Sequence, residues 1–339
     1  MTASEIKDWI KSNERPPDWI HNQPKQTEEY LYGYWRSTIA NNSTQTVRNR
    51  SVSVRQFAEW FDDDIADVET SDVIEWKEDM QIEDYAYRSI QSKIYALSTF
   101  YNWLIERKDF DDNPVDDVEI EHFEKTKLSE NLDREYVNKD EFQQMMEACE
   151  TTREKLICRL FWDTGVRVGE IVEIKCKPNG GDINRRNKSI EIVSGKTRKM
   201  EEDDERTVYY SQSLESILME WLDNGQRNAY FGSTGEYLIP SDEADKLYEG
   251  TVSDIVREVA DRAGILKTIY TDKAGQERYF PHPHALRKSY GVYRTKGGMP
   301  IAYLSELMGH SDIQTTRDEY LKFRDDDIRD ADRRYRPRV

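Results

Sequence analysis

Cysteine is scarce in this 339-residue chain, which has only Cys149, Cys158 and Cys176. Their spacing matches no metal-ligand pattern, and an odd, sparse set builds no disulfide framework. Long apolar runs are missing as well. None approaches the roughly 18 residues that a membrane-spanning helix requires. The opening stretch MTASEIKDWIKSNERPPDWI has neither a basic start nor an apolar centre, so it does not read as a signal peptide. No Gly-rich phosphate loop occurs. Internal repeats and low-complexity tracts are also lacking. These absences predict a cytoplasmic protein with no membrane partner and no metal or other cofactor.

Positive charge is in deficit. Lys and Arg number 49 against 67 Asp and Glu, for a formal charge of −18 and a mean hydropathy of −0.90. Such a surface stays soluble at molar salt, where the Debye length falls to roughly 3 Å and repulsion among carboxylates is screened. A halophilic cytoplasm is the setting this predicts. Two stretches are spared from acid. From Arg278 to Ser305 there is no Asp or Glu, while Arg287, Lys288, Arg294 and Lys296 lie within it. Residues 1–60 carry eight cations and seven acids, with Arg48, Arg50 and Arg55 on one helix. A polyanion would be repelled elsewhere on this molecule and accepted here.

The chain reads as mainly helical with a small antiparallel β-sheet. Residues 1–25 form an arm with a short helix near Ser4–Ser12. Helices follow over about Glu28–Ile39, from a cap at Thr44 or Thr46 to about Phe61, from Val68 onward and over Ala86–Arg107, the last with Ile90, Ile94, Leu97, Phe100 and Leu104 at helical spacing. Residues 26–115 are thus an all-helical domain, 116–137 a linker, 138–325 a second domain and 326–339 a tail. In the second domain the period switches to two at Ser189–Ser194 and again at Arg206–Tyr210, around a turn at Gly195-Lys-Thr-Arg-Lys. From Ala285 the chain is helical, in pieces divided by Gly297-Gly298 and Gly309-His310-Ser311.

Several side chains stand out beside these elements. His282 and His284 suggest metal at first glance, but no Cys or carboxylate cluster lies at ligand spacing. Thr164-Gly165-Val166-Arg167-Val168-Gly169-Glu170 resembles the first box of the tyrosine recombinase (phage integrase) family. His284-Ala285-Leu286-Arg287 resembles its His-x-x-Arg box. Leu307-Met308-Gly309-His310, then Thr315-Thr316 and Tyr320, resembles its Leu-Gly-His and nucleophile segment. The Gly195-Lys196 hairpin resembles the turn that carries the family's lysine. The N-terminal helices resemble its SAM-like core-binding domain, and residues 138–325 its α/β catalytic domain. There are departures. Lys288 stands where the family often has histidine, and Tyr320 falls ten residues after His310 where many members have nine.

The resemblance implies site-specific cutting and rejoining of double-stranded DNA through a 3′-phosphotyrosyl link and a Holliday junction. It implies a homo-tetramer on two DNA sites, with DNA rather than a small molecule as substrate. Arg167 and Arg287 would clamp the phosphate bidentately. Tyr320 would be the nucleophile, activated by the arginine field with His284 as base. Lys196 would protonate the leaving 5′-oxygen, with Lys199 its local competitor. His310 would hydrogen-bond the phosphate, and Glu170 would orient Arg167 or a histidine. Arg48, Arg50, Arg55, Arg198, Lys288, Arg294 and Lys296 are the expected DNA contacts. Residues 326–339 would dock on a neighbouring protomer. Two rivals stand beside this reading: a type IB topoisomerase-like relaxase with the same chemistry, and a non-catalytic DNA-binding regulator of the same fold.

Overall fold

The computed structural model describes residues 20, 23–42, 44–107, 110–120, 132, 134–177, 180–193, 205–272, 275–310 and 312–323. The Ser4–Ser12 helix, Lys196, Arg198, Lys199 and the 326–339 tail lie outside the described residues. The chain divides into two compact units, Met1–Lys127 and Leu128–Val339.

The first unit holds helices α1 (Lys25–Asn41), α2 (Thr44–Phe61), α3 (Thr70–Ile82) and α4 (Tyr87–Glu106). Each has one apolar stripe and must bury it on the others. The centre is aromatic: Phe57, Phe100 and Tyr101 are fully buried, and Trp76 meets Phe57 edge-on at 5.0 Å. Burying each such ring contributes about 1.5–3 kcal/mol. A Glu69–Asp72 capping box starts α3. After α4 the chain stays on this core through Val115 and then through Val118 and Ile120, the latter two within the stretch expected to be a linker.

The second unit holds α5 (Lys139–Ala148), α6 (Thr152–Thr164), the one-turn α7 (Val168–Ile171), α8 (Gln212–Leu218), α9 (Glu249–Arg262), α10 (Pro283–Lys296), α11 (Ile301–Met308) and α12 (Ile313–Tyr320). Strands β1 (Ile183–Asn184), β2 (Ser189–Val193) and β3 (Glu205–Tyr209) form an antiparallel sheet in the order β1-β2-β3. Ile190 pairs with Val208 and Ile192 with Arg206, so one sheet face is apolar apart from a single cation. A second ribbon, β4 (Lys267–Thr271) with β5 (Glu277–Phe280), was not foreseen from the sequence. Its strands are short and half exposed, and alternation over four or five residues is a weak signal.

Cys149, Cys158 and Cys176 are free and buried. Among the described residues no helix is long and apolar enough to cross a membrane.

Candidate active site

Three chain reversals in the second unit converge. The first is the end of α6, where Gly165 caps the helix with φ +63°. The second is the start of α10, which Pro283 opens and His282 caps by accepting from the Ala285 N–H at 3.3 Å. The third is the end of α11, where Gly309 adopts φ +63°. A Cβ on Gly309 would also sit 2.7 Å from Arg206 Nη1. Glycine is therefore required there for both conformation and space.

Glu170 is the hub between these turns. Its carboxylate is almost fully buried, yet every approach to it is cationic. Arg206 on β3 grips it fork on fork, Nη1 to Oε1 at 2.9 Å and Nη2 to Oε2 at 2.7 Å. Arg167 donates from its backbone N–H to Oε2 at 2.7 Å and from Nη1 to Oε1 at 2.9 Å. Arg287 Nη1 lies 4.0 Å from Oε2. Burial alone would raise this carboxyl, but the Arg206 bonds and charge, followed by those of Arg167, hold it at about 2.

The remaining guanidinium donors fix the turns. Arg167 Nη2 donates to the Gly309 carbonyl at 2.6 Å. Arg287 donates to the carbonyls of Gly165 at 2.6 Å and Met308 at 2.7 Å, and its Nη2 lies 3.1 Å from His310 Nε2. Arginine has no acceptor, so Nε2 must accept, and Nδ1 carries the proton. Nδ1 donates to Thr316 Oγ1 at 2.7 Å. Burial, then Arg287, Arg167 and Arg206, lower His310 to about 4, so it is neutral at pH 7. Burial and Arg167 lower Arg287 to about 10, which leaves it cationic.

Thr316 lies one turn before Tyr320 on α12, so His310 ties the arginine cluster to that helix. Tyr320 itself is fully buried with Val292, Leu304 and Met308. Its hydroxyl has no hydrogen-bond partner. Burial and then the Glu319 carboxylate push the phenol up, and Arg287 opposes them only in part. The expected activation by the arginine field is thus not present in this arrangement. The ring lies on Gly291, where a Cβ would come within 2.3 Å of it. Alanine in a helix interior ordinarily gains up to about 1 kcal/mol over glycine. At 291 the sign should reverse: Gly291→Ala is expected to destabilise by about 1–3 kcal/mol through overpacking. A melting curve checks it, and an unchanged or higher midpoint would show that the ring is not held there.

The arrangement of two guanidiniums, a histidine and a tyrosine-bearing helix around one carboxylate agrees with the comparisons to known proteins. The model of the Phage integrase family matches residues 135–326. The chain belongs to the phage integrase family. The family's N-terminal SAM-like domain matches residues 30–108. A tyrosine recombinase XerA of Saccharolobus solfataricus is 24% identical over 317 residues, 84% of this chain and 88% of the relative. A tyrosine recombinase XerD of Rickettsia bellii is 26% identical over 261 residues, 74% and 78% of the two chains. A lambda integrase (75–356) dimer bound to a COC′ core site shares the fold at TM-score 0.64 and 18% identity, covering 89% of this chain and 96% of that one.

The structure distributes the expected residues of this family member unevenly. Arg167, Glu170, Arg287 and His310 come together as described. His284 is exposed on the first turn of α10, its ring parallel to His282 at 6.2 Å, and no hydrogen bond joins it to the Tyr320 hydroxyl. The chain packed around its base partly desolvates the exposed ring, and with Arg287 and Lys288 this outweighs Glu319 and lowers its pKa. Lys288, expected to contact DNA, is instead buried and salt-bridged to Glu135, with Glu319 at 3.7 Å. It is committed to two carboxylates and is not a phosphate contact in this arrangement. Arg294 and Lys296 are exposed on α10, over the rings of Tyr290 and Tyr136 at 4.9 and 5.7 Å. In the first unit Arg48 is exposed, Arg50 borders a polar cleft with Tyr34 and Tyr95, and Arg55 lies 3.7 Å from Glu59. Sequence reasoning missed Arg206. Its phase with the core residue Val208 was a usable signal, because an inward arginine needs an acid; which acid was not readable.

These shifts set an acid limit. Glu170 lies below its ordinary 4.5, so its contribution is complete above about pH 4.5 and is lost as pH falls toward 2. That contribution is about 3 kcal/mol. His310 titrates near 4 rather than 6.5, so the unfolded chain protonates first and stability already declines from pH 6.5 to 4. Burial also lowers His282 to about 4, which adds in the same direction. His310→Gln is therefore expected to flatten, but not abolish, the fall in melting temperature between pH 6.5 and 4. An unchanged slope would show that His310 is not held neutral by its surroundings.

Proposed function

We propose that this protein is a metal-independent, site-specific tyrosine recombinase of double-stranded DNA. The observation that carries the reading is the pair Arg167 and Arg287, held by Glu170 and the Gly165, Met308 and Gly309 carbonyls, with His310 bonded to the helix that ends in Tyr320. Two guanidiniums fixed before the substrate arrives suit the charge that develops on non-bridging phosphate oxygens. Tyr320 Oη attacks phosphorus, its proton passing to a base, for which His284 is the candidate. The bond to the 5′-oxygen breaks, and that oxygen takes a proton from Lys196, with Lys199 as the competitor. The products are a 3′-phosphotyrosyl link and a free 5′-hydroxyl, so the bond energy is retained for rejoining.

Tyr320 must leave its buried position to do this. Its hydroxyl makes no hydrogen bond of ordinary geometry, with Glu319 the carboxylate that acts on it, so the movement gives up little hydrogen bonding of its own. A phosphate bound at the arginines would also favour the protonated form of His310, turning Nε2 from acceptor to donor.

In this reading, the helical unit matching the SAM-like domain grips the duplex with Arg48, Arg50 and Arg55, while Arg198, Arg294 and Lys296 touch phosphates from the second unit. Four protomers assemble on two sites and pass through a Holliday junction, and residues 326–339 dock on a neighbour. The −18 charge supports work in a salt-rich cytoplasm, as in a halophile. The test is covalent trapping: protein in high KCl is incubated with nicked duplexes carrying candidate sites, then run on a denaturing gel. A slow band establishes strand cleavage. Tight binding with no band across salts and sites would favour a non-catalytic regulator.

A further inference from the structure

We infer that Arg206 is a positioning residue for the phosphate-binding arginines, setting their geometry and leaving their charge free for the substrate. The inference rests on the recombinase reading above and adds a residue to it.

The argument begins with where the donors of Arg206 go. Two are spent on the two oxygens of Glu170, and Nε donates to the Leu307 carbonyl at 2.9 Å. Its side chain is 9% exposed. It is therefore poorly placed to touch a phosphate. It does join three segments that are distant in the chain: strand β3, the one-turn helix α7 and the end of α11. The same guanidinium lies against Gly309, whose carbonyl holds Arg167 and whose neighbour is His310. Every group that fixes Arg167 is thus in contact with Arg206 or one residue away from it.

Charge points the same way. Glu170 faces three guanidiniums, and together they leave a net charge of two positive. A phosphodiester carries one negative charge and approaches two as the attacking oxygen adds. Without Arg206, the carboxylate would be neutralised by Arg167 and Arg287 themselves, and one positive charge would remain for the substrate. A buried Arg–Glu pair is weak evidence for stability, since apolar residues of similar size often do as well. Its value here lies in direction: a planar fork across both carboxylate oxygens fixes Glu170 in one rotamer, which a lysine ammonium cannot do.

The experiment uses the full chain with Arg206→Ala and Arg206→Lys. Single-turnover cleavage of a nicked duplex at saturating protein is measured beside DNA affinity and melting temperature. Arg206→Ala is expected to slow cleavage about 100-fold, the size of effect that misplacing a reacting group produces, with DNA affinity falling far less, by the one charge lost near the phosphate. Millimolar guanidinium should restore part of the rate in Arg206→Ala and none in Arg206→Lys, whose ammonium fills the space. Cleavage by either folded variant at the unmodified rate would overturn the inference. So would a loss that appears wholly as weaker DNA binding, which would make Arg206 a substrate contact. Should Arg206→Ala fail to fold, Arg206→Lys decides by the same rate. Absence of covalent product from the unmodified protein would reject the recombinase reading, and this inference with it.

Discussion

Tyr320→Phe is expected to abolish the covalent protein–DNA band, a loss of at least about 10³-fold, with little change in melting temperature. The two halves of this expectation come from one observation. The hydroxyl is buried without a hydrogen bond of ordinary geometry, so its desolvation on folding is poorly compensated. Removing such a group is nearly neutral or mildly stabilising. The ring, which fills the space beside Gly291, Leu304 and Met308, is kept by phenylalanine. A dead variant that melts like its parent would separate chemistry from folding, which few buried active-site residues allow. Persistence of the band would place the nucleophile elsewhere. Tyr303 on α11 is 63% exposed, Tyr290 is buried against the Gly165 turn, and Tyr335 lies outside the described residues.

Arg287 should behave in the opposite way, with function and stability falling together. Its side chain is 4% exposed and bonded to Gly165, Met308 and His310. Arg287→Ala would strand two buried carbonyls, free His310 and leave Glu170 with one fewer cation. Breaking a buried ionic network of this kind costs about 3–5 kcal/mol. Cleavage should fall about 10³-fold, as for the loss of a principal donor to a developing oxyanion. Arg287→Lys keeps the charge but cannot reach both carbonyls in one plane, so it should recover more stability than activity. Arg167 is the control. Its side chain is 41% exposed, so Arg167→Ala should lose cleavage on a similar scale with a much smaller change in melting midpoint. Denaturant titration and trapping on the same preparations check all three. Equal stability losses at 167 and 287 would show that burial does not separate their roles.

Much of this was legible in the linear chain. Helical periodicity located α1 to α4 because each helix buries one stripe, and the stripe is written at intervals of three and four. The glycines at 165 and 309 marked the ends of α6 and α11, because a left-handed cap excludes most other residues. The first-box, His-x-x-Arg and Gly-His segments pointed to the arginines and His310 through their resemblance to the family's motifs, which are local in the chain. The short β4–β5 ribbon was not visible, since four-residue strands carry little pattern.

What the sequence by itself determined is therefore the set of groups: which elements form, and which side chains the turns carry. Only the tertiary structure decided their partners. It turned Lys288 from an expected DNA contact into a buried tie between Glu135 and Glu319. It placed Tyr320 in a core with a raised pKa, where the sequence suggested an activated nucleophile. It also brought in Arg206, 36 residues from the Glu170 it holds. The physical reason is common to all three. Charge type and helix phase are local properties of a chain. Desolvation and ion pairing depend on what lies across a few ångströms of space, and that is fixed only when distant segments pack.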